Sequence, residues 1–219
     1  MKRFFSIIPV LGTLAFTAAY FWASALYPGG TKFDHAAKGY DHLYNFWCDL
    51  LEPLSYSGEA NPGYSVALPA TIILCFSMVF LWHFITELFP DKKIKGHIVR
   101  MGGGISMLLS IFVFSKSHDL FILTAAFFGI VAFVTVMWGL IEKKEFSLVT
   151  MTAVTLLSVV LALLLWQTQV LPLWVPITQK ISFVIFFLWV WMVAWQYSKI
   201  TSPSLRTHVK QSHGLHLPT

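Results

Sequence analysis

Charge is scarce in this chain. Asp, Glu, Lys and Arg make up 11% of its 219 residues, against about a quarter in a soluble domain. A globule of this length cannot hide that much apolar surface, so lipid must act as solvent for much of the chain. Cysteine is nearly absent. Cys48 and Cys75 are the two present, which excludes a disulfide framework and any Cys-based zinc spacing. The sequence also lacks Gly-x-Ser-x-Gly, His-Glu-x-x-His, Cys-x-x-Cys and a haem-attachment motif, so no recognisable motif requires a cofactor or a metal. There is no internal repeat, which gives an inverted-repeat transporter little support. Gly102-Gly103-Gly104 lacks the Lys-Ser/Thr of a phosphate loop and lies in an apolar run, so close helix packing is the simpler reading. No basic face suits a nucleic acid.

What the chain has is apolar length. Hydrophobic residues make up 57% of it, with a mean hydropathy of +0.70. Six apolar runs stand out at 4–26, 64–89, 98–114, 120–141, 146–166 and 174–197, each near the ~20 residues that cross a bilayer as a helix. Two readings compete for the first. Ala23-Ser24-Ala25 resembles a signal-peptidase site, but the run is longer than a signal core and suits a retained helix better. Turn signals separate the runs: Pro28-Gly29-Gly30, Asn61-Pro62-Gly63, Pro90, Pro172 and Pro176. With the N-terminus cytoplasmic, eleven of the fifteen Lys and Arg residues fall on the cytoplasmic side. The other side holds Lys32, Lys38, Lys116 and Lys180. This predicts six spans with both ends cytoplasmic. Trp189, Trp191 and Trp195 read as an interfacial belt near the inner end of the last span. Residues 1–200 then form one six-helix membrane domain, with 27–63 as an outer loop. Residues 201–219, with His208, His213 and His216, read as a mobile solvated tail.

The outer loop carries an unusual stretch at residues 39–52, GYDHLYNFWCDLLE. At helical spacing Asp41, Asn45 and Asp49 share one face at i, i+4, i+8. This predicts a short amphipathic helix on the outer surface, polar on one side and aromatic on the other. His42, Glu52, Glu59 and His35 flank it, and His118-Asp119 stand in the next outer loop. Three roles are open to Asp41, His42, Asn45, Asp49, His118 and Asp119. They could hold a divalent metal or supply acid–base groups toward a lipid head, hydrogen-bond other helices, or simply face water. A second polar cluster is inner: His83 and Glu87 on the second span, His97 and Arg100 opening the third. An ionisable group in a span is a functional candidate by default. An ion-paired network pinning two helices is the plainer account of Glu87 and Arg100. Thr150, Thr152, Thr155 and Ser158 read as back-bonds or interhelical hydrogen bonds.

The order of these features resembles the bacterial six-helix membrane family catalogued as domain of unknown function 998. In that family a first helix leads to an outer loop with a Gly-Tyr-x-His-like start. An Asn and a Ser-Asp-Leu-Gly follow, then Asn-Pro, a second helix, a Pro, and a His opening the third helix. The matching positions here are Gly39, Tyr40, His42, Asn45, Asp49, Leu50, Asn61, Pro62, Pro90 and His97. Cys48 stands where the family has Ser, and Leu51 where it has Gly. The layout is more distantly similar to six-helix membrane proteins linked to lipid organisation and autophagy. The resemblance implies an architecture and brings no reaction. The reading is therefore an all-α, polytopic inner-membrane bundle whose partner is membrane lipid, sensing or organising lipid at the outer leaflet. A metal-dependent lipid hydrolase or transferase is the second expectation. A proton- or solute-coupled carrier titrating at His83 is the third. Whether it is an enzyme, and whether it pairs with a second copy, the sequence leaves open.

Overall fold

A computed structural model describes residues 2–89, 93–115 and 117–201, with side chains from residue 5 onward. Pro90, Lys92, Lys116 and the tail with Arg206, His208, Lys210, His213 and His216 lie outside the described residues. The chain is all-helical, with six helices long and apolar enough to cross a membrane. They are α1 (Lys2–Ala25), α2 (Tyr64–Phe84), α3 (Ile94–Ser110), α4 (His118–Glu142), α5 (Phe146–Thr168) and α6 (Val175–Ile200). A 3-10 turn, Ile85–Leu88, extends α2, and another, Ile111–Phe114, extends α3.

The helices form a ring in chain order. Each packs on its sequence neighbours, and α6 closes back on α1. Short hairpins join α2 to α3 and α4 to α5 at one end. The 26–63 segment lies at the other, with the α3–α4 and α5–α6 connections. We call these the hairpin end and the capped end. Local chemistry sets the breaks. The α4–α5 hairpin turns on Lys144 at φ 60°, and α5 stops at Gln169 at φ 50°, whose N–H closes on the Leu165 carbonyl, a left-handed helix stop. Pro172 and Pro176 open the last segment, where a missing N–H costs nothing.

With lipid outside, the bundle is held by close packing rather than by apolar burial alone. Gly103 does this for α2 and α3. A Cβ built on it would stand 2.2 Å from the Trp82 ring, so the two helices meet ring against bare backbone. Trp82 in turn contacts Phe133 and Trp189, with ring centroids 5.3 and 5.8 Å away. Gly102 and Gly103 are thus packing notches, as their sequence context indicates, while Gly104 faces open space. Trp189 is fully buried in this core and donates its indole N–H to Thr152 Oγ1 at 2.9 Å, so it stands outside the expected interfacial belt. Trp195 is exposed, and Trp191 reaches across to Thr13 Oγ1 at 2.8 Å. Thr150, Thr152 and Thr155 bond back to the carbonyl four residues before, and Ser158 to the one three before. The first helix is part of the ring: Phe16, Tyr20 and Ala23 are buried, and Tyr20 shares a hydrogen bond of 2.7 Å with Thr71 of α2.

Candidate functional site: an apolar cleft under a polar cap

The cap begins with a local competition. Asp41 Oδ1 accepts the N–H groups of Leu43 (2.7 Å) and Tyr44 (3.2 Å). This turn offers the backbone an alternative to helix, as a short carboxylate side chain often does. The amphipathic helix expected over residues 39–52 is therefore cut down to one 3-10 turn, Trp47–Leu51. Its start is fixed by Asp49, whose Oδ2 accepts the Phe46 N–H at 2.8 Å, half of a capping box.

The ridge at i, i+4, i+8 survives in part. Asn45 and Asp49 are buried and meet, with Asn45 Nδ2 donating to Asp49 Oδ2 at 3.0 Å. Asn45 has no exposed surface, and each side-chain group is used. Its Nδ2 also donates to the Gly30 carbonyl at 2.9 Å, and its Oδ1 accepts the Asp41 N–H at 2.9 Å. Gly30 is at φ +83°, and a Cβ there would meet the Ser57 N at 2.5 Å, so only glycine can present this carbonyl. Asp41 stays half-buried in its own turn, and His42 is exposed beside Tyr40 and Phe21.

Helix α6 fastens the cap. Gln179 Oε1 accepts the Trp47 N–H at 3.0 Å. Lys180 Nζ donates to the Asn45 carbonyl and, at 3.3 Å, to that of Pro176. Tyr40 OH donates to the Phe46 carbonyl at 2.9 Å. Sequence reading counted Lys180 only among the outer-side charges and passed over Gln179. The signal was legible in principle: two adjacent long polar residues just inside an apolar run need partners.

Burial sets the chemistry of the cap. It pushes the Asp49 carboxyl up to about 6, against the pull of Asn45, the Phe46 N–H and Lys180. Burial, helped by the charge of Asp49, pushes the Cys48 thiol up to about 12, so Cys48 is a protonated packing group at neutral pH and a poor nucleophile. A pH dependence follows. The folded chain keeps the Asp49 proton between about pH 4 and 6, where the unfolded chain has lost it. The associated stability is fully present below about 4 and is lost as pH rises through about 6. Unfolding in detergent should show wild type gaining about 3 kcal/mol from pH 7 to pH 4 relative to Asp49→Asn, whose profile lacks this step. Parallel profiles would refute the assignment.

Beneath the cap lies a cleft of about 360 Å³, within the range of small-molecule sites. Phe46, Trp47, Cys48 and Leu51 roof it, and residues of all six helices, with Phe16 and Tyr20 from α1, wall it. Ala126 and Gly129 on α4 and Ala162 on α5 leave the room. The wall is mostly apolar, although the Trp82 indole N–H in it is buried without a hydrogen-bond partner among the described residues. Thr71, Ser110 and Ser182 line it, yet their hydroxyls donate to backbone carbonyls at 2.8–2.9 Å. Polar groups gather near the capped end. Gln179 Nε2 donates only to the Cys48 sulfur at 3.6 Å, a weak acceptor. His118 lines the cleft, lies 5.9 Å ring to ring from Trp166, and shares a 3.0 Å contact with exposed Asp119. Asp49 and His118 are thus assigned to different surroundings, one in the knot and one at the rim. Among the described residues, no three His, Cys, Asp or Glu side chains converge as a metal site would need.

No family model, curated protein or solved structure matches the chain. Its function must be argued from the residues.

The second sequence-predicted cluster divides. Arg100 donates through Nε (3.2 Å) and Nη2 (2.8 Å) to Thr86 Oγ1, tying α3 to the end of α2. His97 is exposed and pairs its Nδ1 with the Lys93 carbonyl at 2.6 Å. His83 is exposed too, and with Glu87 lines a separate depression beside Phe5, Phe80 and Tyr197. His83 therefore stands on the outside of the ring.

Proposed function

We propose that this protein is a lipid-handling membrane protein that takes an acyl or alkyl chain into the cleft beneath its cap, and so senses or organises lipid in the leaflet at that end. The cleft carries this reading: it holds about 360 Å³, its lining is predominantly apolar, and aromatic residues of the cap roof it. Such a space suits a chain with a head group left at the surface. We assign the capped end to the outer face and both termini to the cytoplasm, in a bacterial-type inner membrane. The support is the weight of Lys and Arg on the hairpin-end segments. The cap has the chemistry of a latch, since its acid and amide are satisfied internally and offer no open carboxylate pair for catalysis.

The test is direct. Ala126→Trp puts an indole into the cleft from α4. Wild-type protein purified in mild detergent should retain lipid detectable by native mass spectrometry, and Ala126→Trp should lose it while melting at or above the wild-type temperature. Equal retention in both would refute the proposal.

A further inference from the structure

The rim of the cleft has a sign. Trp166 lies at its centre, with the Phe46 ring 5.3 Å away and His118 5.9 Å away. Lys32, from the cap, places its Nζ 5.6 Å from the Trp166 ring centroid and donates to Gln169 Oε1 at 3.3 Å. Gln169 ends α5, so Lys32 bridges the cap to the helix beside the opening. Lys32 makes no ion pair with any described carboxylate. Asp119 is exposed and held against His118, and Asp34, two residues from Lys32, accepts the Ala36 N–H. Gln179 adds an amide donor whose acceptor is only a thiol. His118 and Gln179 line the cleft, Lys32 stands against Trp166 of its wall, and no other lining side chain among the described residues carries a charge.

We infer that the occupant of the cleft is an anionic amphiphile: its chain lies in the cleft, and its carboxylate or phosphate head sits at the rim against Lys32, with Gln179 and His118 as further donors. This rests on the lipid-handling reading above and adds the head group. An anion there gains a charge-assisted hydrogen bond that a neutral or cationic head does not. Deep in the cleft the same charge would go unpaired, so the amphiphile has one orientation.

The experiment uses the full-length protein in a neutral detergent, with displacement of a pyrene-labelled fatty alcohol as readout. Competitors share one sixteen-carbon chain: hexadecanoate, hexadecyl phosphate, hexadecanol and hexadecylamine. The two anions should compete at least about fivefold better than the alcohol, as expected for one charge-assisted contact at a half-exposed rim. In Lys32→Gln the anions should compete no better than the alcohol does in the same variant. Comparing the two anions tells a carboxylate-selective rim from a phosphate-selective one. Four equal affinities that all vanish in Ala126→Trp would overturn the head-group inference and leave the cleft reading standing. A preference for the amine, or an anion preference that survives Lys32→Gln, would also overturn it. Binding that persists in Ala126→Trp would remove the cleft reading itself.

Discussion

Asn45→Ala should unlatch the cap while the six helices stay formed. The substitution strands the Gly30 carbonyl and the Asp41 N–H, and leaves the Asp49 carboxylate with the Phe46 N–H alone. Asn45 has no exposed surface, so water cannot replace the lost partners without opening the cap. Leaving a buried group unsatisfied costs about 1–3 kcal/mol, more where it is charged. The expected loss is therefore about 3–5 kcal/mol, concentrated in residues 26–63. Limited proteolysis should then cut within that segment, and hydrogen exchange should accelerate there while the centres of α2 and α6 keep their protection. Proteolysis and exchange like wild type would mean that Asn45 is only filler.

Gly103→Ala should have an effect of similar size by an opposite route, adding atoms rather than removing partners. Its Cβ would sit 2.2 and 2.3 Å from two atoms of the Trp82 ring. That ring is 1% exposed and is held by Phe133 and Trp189, so it can move only by giving up those contacts, into the cleft it lines. Overpacking of this kind costs about 1–3 kcal/mol and sometimes more. Here it should reach the upper end, because those contacts are lost or α2 and α3 must separate. A fall in melting temperature together with a shifted Trp fluorescence spectrum would be the sign. Gly104→Ala is the control, since nothing stands within 4 Å of its Cβ position. Equal melting of the two variants would show that the notch has no structural weight.

The comparison of sequence with structure turns on the kind of signal each feature leaves. Spans leave a long one, because twenty apolar residues in a row have few other uses. The packing role of Gly103 was legible for a related reason: a glycine costs a helix stability unless something approaches closely. Asn45 and Asp49 were legible as a pair, since a four-residue spacing brings them together in a helix and in a 3-10 turn followed from Asn45 alike. Asp41 was not, because its side chain captures two backbone N–H groups and ends the periodicity that would have aligned it. Helix α3 starts at Ile94 rather than at 98, since Lys95 and His97 broke the apolar run while the backbone was already helical. The cleft was hidden for a different reason. It is made by small residues on α4 and α5 and by the tilt between helices, and neither leaves a pattern in one helix alone.

The fastening of the cap by α6 constrains the order of assembly. Trp47 and Asn45 wait for Gln179 and Lys180, which lie 132 and 135 residues later in the chain. The hydrogen bonds of the Asn45 and Asp49 side chains lie within the loop itself, so the loop can fold on itself early but is fastened only when the final helix is in place. A protein truncated before α6 would carry five apolar helices and a loop without these two fastenings, so anchoring of the cap reports insertion of α6.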